Sequence, residues 1–166
     1  MAATLYLGID GVLHPRAISF TKGERLPKLR DAGHSLFENH LILERALEQC
    51  PHTVVIVHSW WVPLLGYRRT VEAIPERLRT RIIGATCRGN RRLPFALTSA
   101  TTRREWLRQD ILRRRPATPV LLDCDFCQVL SMLADSACVV DARMGLATIG
   151  AAERLVSLLQ DANGSD

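Results

Sequence analysis

The sequence predicts an α/β domain built on a mostly parallel sheet. Two observations point there. Short apolar, β-branched runs alternate with stretches of helical periodicity, and three of the runs end on polar, chemistry-bearing side chains.

Leu5 to Ile9 reads as a buried first strand, delivering Asp10 to a loop. Residues 14–34 mix Pro, Gly and both signs of charge, and read as a flap or loop over the strand end. Ser35-Leu-Phe-Glu38 has capping-box spacing, so a helix is expected from there to about Gln49, with Leu36, His40, Leu43 and Leu47 on one face and Pro51 ending it. Thr53-Val-Val-Ile-Val57 is a second buried strand, with His58-Ser59-Trp60-Trp61 at its end. The two tryptophans read as part core and part rim, with base stacking by one of them as the alternative.

A helix over about 64–73, a short one opened by Pro75 and a short strand over 81–84 follow, then an arginine-bearing loop over 85–100. Thr102-Arg-Arg-Glu105 repeats the capping-box spacing and opens a helix to about Arg115, closed by Pro116 and Pro119. Val120-Leu-Leu-Asp123 is a strand ending on a carboxylate, and Ala137 to Val140 a further strand ending near Asp141. Thr148 is the expected cap of a last helix with Ile149, Ala152, Leu155, Val156 and Leu159 on its apolar face, and residues 162–166 read as a frayed tail.

The 166 residues suffice for one domain with a core, and 47% apolar content excludes disorder. No apolar run nears the ~20 residues that span a bilayer, and no basic region precedes the first apolar run, so a cytoplasmic chain without membrane partners is expected. Five cysteines, an odd number, fit reduced thiols. Cys124-Asp-Phe-Cys127 is a lone CxxC: a zinc site lacks two further ligands, and a redox pair stays open. The net charge of +5 is unevenly spread: residues 68–115 hold fourteen arginines against four acids, so the remainder is net negative. Arginine suits bidentate phosphate contact, which makes Arg68 to Arg115 a candidate surface for RNA or DNA, against the alternative of solvated helix faces.

In parallel sheets ligands bind beyond the carboxyl ends of the strands. That rule gathers Asp10, His58, Ser59, Asp123 and Asp125 on one rim, although they come from three distant strands.

"LYLGIDGVLHP", "VVIVHSWW" and "LLDCDF" together resemble the first, second and fourth motifs of the haloacid-dehalogenase-like (HAD) superfamily. "DGVLHP", "SW", "GAT" and the Arg-Glu helix are similar, more narrowly, to the small HAD domains of bacterial RNA-repair proteins. The resemblance spans about residues 4–160 and implies a Rossmann-like, three-layer fold with helices on both faces and a minimal cap or none. It implies that Asp10 holds the general acid/base position, and that Ser59 (or His58), Gly11 and Arg103 or Arg104 contact phosphate. It also implies Mg²⁺ among the first-motif carboxylate, the backbone carbonyl of Asp10, Asp123 and Asp125, though Asp125 equally suits a helix N-cap. The chain departs from the family twice. Gly8 stands where the nucleophilic Asp is expected, which removes the attacking carboxylate and one metal ligand, and Cys124 replaces an acidic residue of the fourth motif.

The expectation is therefore a degenerate phosphatase-fold protein that keeps a pocket for a phosphorylated small molecule or nucleic-acid end, with weakened Mg²⁺ binding. The alternatives are an active Mg²⁺-dependent hydrolase using water or another carboxylate such as Asp123, and an arginine-rich nucleic-acid-binding module.

Overall fold

The computed structural model describes residues 2–21, 23–87 and 100–164. Its centre is a five-stranded sheet of β1 (Thr4–Leu7), β4 (Val54–Val57), β5 (Ile82–Ala85), β6 (Pro119–Asp123) and β7 (Ala137–Val139), in the order β5-β4-β1-β6-β7. Every pairing in it is parallel, with Leu7 opposite both Val57 and Leu122. The strand ends that carry the candidate residues therefore lie side by side.

Successive strand residues point to opposite faces, and both faces are buried. Leu5, Leu7, Val55, Val57, Val120 and Leu122 pack with Leu43 and Leu47 of α1 (His40–Gln49) and with Leu155 and Leu159 of α6 (Ala151–Gly164). Tyr6, Ile56 and Leu121 face the other way, onto Leu107 and Ile111 of α5 (Ala100–Arg114) and onto Leu130 and Leu133. This is the expected Rossmann-like architecture. The 14–34 segment folds as a small antiparallel hairpin, β2 (Ile18–Ser19) with β3 (Lys28–Leu29), beside the rim.

Several element boundaries differ from expectation. Half of the capping box at Ser35 forms, with Ser35 N–H donating to Glu38 Oε2 at 3.0 Å, but α1 starts only at His40. The cause is Phe37, whose φ of +61° is incompatible with a helix. The helix expected over 64–73 is two pieces, α2 (Trp61–Leu65) and α3 (Tyr67–Ala73), broken at Gly66 with φ +91°. Pro75 does open the short α4 (Glu76–Arg79).

Thr148 does not cap α6. Its Oγ1 donates to Gly145 O at 2.6 Å and accepts from Asp141 N, Gly150 intervenes at φ +76°, and Ile149 is fully exposed rather than on the apolar face. In place of fraying from 162, α6 runs to Gly164. Asn163 ties its end to the first strand, accepting from Ala3 N at 2.9 Å and donating to Thr53 Oγ1 at 3.3 Å.

Candidate active site

Asp10 lies just beyond β1, in a turn closed by Gly11 N–H donating to His14 O at 2.9 Å. Gly11 has φ +73°, and a Cβ there would run into Cys124 Sγ, so glycine is required twice over. Asp10 Oδ1 receives Trp61 Nε1–H at 2.7 Å and lies 3.1 Å from His14 Nε2. Both partners are fully buried, whereas the Asp10 side chain keeps 18% exposure at the rim. Phe37, Phe20 and Trp61 close an aromatic box beside this carboxylate, with ring centroids 5.3 Å (Phe37–Trp61) and 6.1 Å (Phe20–Trp61) apart.

Position 8 is closed on the side facing Asp123. A Cβ built on Gly8 would stand 2.8 Å from Asp123 Oδ2, so the Asp123 carboxylate fills the space a side chain at 8 would need. Asp123 is fully buried, and its Oδ2 has no hydrogen-bond partner among the described residues. Its Oδ1 accepts from Arg103 at 3.0 Å and from Asp125 N–H at 2.9 Å. Burial raises its carboxyl above the ordinary value, and the Arg103 charge offsets only part of that.

Of the two candidate basic residues, Arg103 reaches the site. It is buried, also donates to His58 O at 3.3 Å, and stands 3.7 Å from Asp125 Oδ2. Arg104 points outward and donates to Val129 O. Asp125 accepts from Cys127 N at 3.0 Å and from Gln128 Nε2 at 2.9 Å, so it is the N-cap of a short 3₁₀ turn. Burial pushes its carboxyl up, but these donors and Arg103 bring it net below the usual value.

Ser59 follows β4 beside the rim, and its Oγ accepts Trp61 N–H at 3.2 Å, opening α2. His58 lies beneath the rim, fully buried, with Nδ1 3.0 Å from Thr86 Oγ1 and Nε2 3.2 Å from Gln128 Oε1. Both ring nitrogens are used inside the protein. Burial, then the Arg103 charge, hold this imidazole well below its ordinary value, hence neutral. Trp60 sits half-buried against Trp106, 5.0 Å between centroids.

A divalent cation of the kind HAD domains generally use needs several oxygens. Asp123 Oδ2, buried and without a donor, suits one. The other donors do not. Gly8 has no side chain, the Asp10 carbonyl already accepts Cys124 Sγ–H at 3.3 Å, and both Asp125 oxygens are engaged. No cluster of three His, Cys, Asp or Glu suited to a metal ion occurs among the described residues. The residues present do not fit a resident Mg²⁺. The Cys124 thiol is pushed up to about 12, by burial first and the Asp123 charge second, so it acts as a hydrogen-bond donor rather than a thiolate.

Much of the basic half is spent internally. Arg68 pairs with Glu72, Arg108 with Glu105, and Arg113 and Arg114 with the buried Asp110. Arg79 and Arg81 bind backbone carbonyls. Residues 88–99, with Arg88, Arg91 and Arg92, lie outside the described part of the chain.

The family model for HAD domains in Swiss Army Knife RNA repair proteins matches residues 4–149. The chain belongs to that family. Searches of the curated proteins and of the solved structures return no significant match. The three stretches that resemble HAD motifs begin on β1, β4 and β6, side by side as the parallel sheet requires.

Two members of the site carry roles the sequence does not give: His14 has none assigned there, and Trp61 reads as core, rim or base stacker. His14 and Trp61 are visible in "DGVLHP" and "HSWW", yet nothing in the spacing announces that both meet Asp10. No helix among the described residues is long and apolar enough to cross a membrane.

Proposed function

We propose that this HAD domain is a cytoplasmic, phosphate-binding member of its family that recognises a phosphorylated nucleic-acid end and forms no aspartyl-phosphate. One observation carries the reading. Arg103 meets the fully buried Asp123 at 3.0 Å, beside a position 8 that offers no carboxylate and whose space Asp123 takes. An aspartyl-phosphate needs an anionic carboxylate on the nucleophile strand, and glycine has none. What stays in place is a carboxylate with an open oxygen (Asp10), a hydroxyl at a helix start (Ser59) and a buried guanidinium (Arg103), the parts that orient a phosphoryl group. The RNA-repair family supports a nucleic-acid-related ligand over a free metabolite.

The test is hydrolysis of a generic phosphomonoester by the wild type beside Gly8→Asp, with and without Mg²⁺, together with beryllofluoride trapping. The expected result is no trapped acyl adduct and background turnover in the wild type. Turnover that Asp10→Asn abolishes would overturn it.

That outcome would favour a second reading, in which Asp10 activates water directly. The setting of Asp10 supports it: the side chain keeps 18% exposure, Oδ1 is held by two partners and Oδ2 by none among the described residues. A separate role in holding nucleic acid through residues 68–115 predicts RNA affinity that falls steeply with salt. The internal pairing of Arg68, Arg103, Arg108, Arg113 and Arg114 argues for a shallower slope than fourteen free arginines would give.

A further inference from the structure

We infer that His14 and Trp61 are positioning residues for Asp10, which fix Oδ1 as a permanent hydrogen-bond acceptor and leave Oδ2, without a partner among the described residues, as the oxygen that meets a ligand or water. The functional consequence rests on the second reading above, in which Asp10 activates water; the geometry does not.

The argument starts at Phe37. Its N–H donates to His14 Nδ1 at 3.2 Å, so that nitrogen carries no proton. The ring proton then sits on Nε2, 3.1 Å from Asp10 Oδ1, and His14 is a neutral donor to the carboxylate. Trp61 Nε1 is a donor and never an acceptor, and it reaches the same Oδ1 at 2.7 Å. Two N–H groups on one oxygen leave no room there for a proton.

The surroundings hold both donors still. His14 and Trp61 have no exposed surface, and the Phe37 ring packs on both, 5.4 Å from His14 and 5.3 Å from Trp61 between centroids. Phe20, in the connection between β2 and β3, meets the Trp61 ring edge-on with centroids 6.1 Å apart. Phe37 adopts φ +61°, a conformation a bulky residue rarely takes, and its N–H is the one that reaches His14 Nδ1. A proton given to a leaving oxygen, or taken from water, therefore passes through Oδ2, with the carboxylate plane fixed in advance.

Nuclear magnetic resonance of the whole chain tests this without any turnover. In the wild type at pH 7, two-bond ¹⁵N–¹H correlations should give His14 the pattern of a neutral, Nε2-protonated ring. A Nδ1-protonated ring or an imidazolium would overturn the assignment. In Asp10→Ala the Trp61 indole N–H should exchange with solvent at least tenfold faster, with Trp60 and Trp106 unchanged; an unaltered Trp61 would overturn it too.

A pair of substitutions separates the two His14 bonds. Gln places a donor near the Nε2 position and Asn an acceptor near the Nδ1 position. The Asp10 carboxyl ¹³C resonance should stay near its wild-type place in His14→Gln and move in His14→Asn. Equal movement in both, or none in either, would make His14 a packing residue only. Should either variant fail to fold, the wild-type tautomer still decides. A protein that shows these signatures but has no Asp10-dependent turnover would sink that functional reading and leave the positioning intact.

Discussion

Gly8 and Asp123 share one space: a Cβ on Gly8 would stand 2.8 Å from Asp123 Oδ2 and 3.1 Å from its Cγ. The backbone at Gly8 is not in the left-handed region, so on conformational entropy alone Gly8→Ala would gain about 0.4–1 kcal/mol. The clash outweighs that gain, because Asp123 is short and held by Arg103 and Asp125 N–H. Gly8→Ala is expected to lose about 1–3 kcal/mol in urea denaturation. Asp123→Ala in the same chain should recover most of that loss, and additive effects in the double-mutant cycle would refute the shared space. The same crowding implies that Gly8→Asp must displace Asp123 before it can act as a nucleophile.

Arg103 and Asp123 form a buried ion pair whose two halves are unequal. Without Asp123, Arg103 keeps His58 O at 3.3 Å and Asp125 at 3.7 Å. Without Arg103, Asp123 is a buried carboxylate with one oxygen already unpartnered. Arg103→Met should therefore cost about 3–5 kcal/mol at pH 7. Asp123→Asn should cost far less, with a definite pH signature. The folded carboxyl value is raised, so its share of stability is present below the unfolded carboxylate value and lost as pH rises through the folded one. The stability difference should thus move in favour of Asp123→Asn as pH climbs from the acid side, measured by urea midpoints at several pH values.

The sheet was legible from sequence because period and composition are local properties. The runs at Leu5, Thr53 and Val120 became β1, β4 and β6, and parallel pairing brought Asp10, Ser59 and Asp123 to one rim. Where the reading failed, a backbone conformation intervened that no apolar pattern encodes. Phe37 at φ +61° delays α1, Gly66 splits α2 from α3, and Gly150 unseats Thr148 as a cap. The pairings within the site were invisible for a different reason. That Arg103 rather than Arg104 meets Asp123 depends on the rotation of α5, and that Trp61 meets Asp10 depends on contacts 51 residues apart in the chain.

Asn39 stitches the Asp10 turn to the turn after β7. Its Nδ2 donates to Val12 O at 3.2 Å and to Met144 O at 2.9 Å, in a buried setting. Both partners are acceptors only, so the side chain must supply protons. Asn39→Asp, close in shape, would face two carbonyls with a carboxylate. It should destabilise by at least about 2 kcal/mol at pH 7. Protonation lets the acid donate to one carbonyl, so part of the loss should return as pH falls toward 4. A thermal melt of the variant at pH 4 and pH 7, each against wild type, checks both parts.

His58 joins β4 to Thr86 and to Gln128 with a ring that stays neutral in the fold. Its folded value lies well below the ordinary one, so the unfolded chain takes up a proton that the native state refuses. Stability tied to His58 is thus complete above the unfolded value of about 6.5 and is lost as pH falls below it, at up to about 1.4 kcal/mol per pH unit. His58→Asn removes the titrating ring while keeping a polar side chain for Thr86. Wild type should weaken relative to this variant as pH drops from 7 to 5, in urea midpoints taken at half-unit steps. A constant difference between the two across that range would mean that His58 is protonated inside the folded protein.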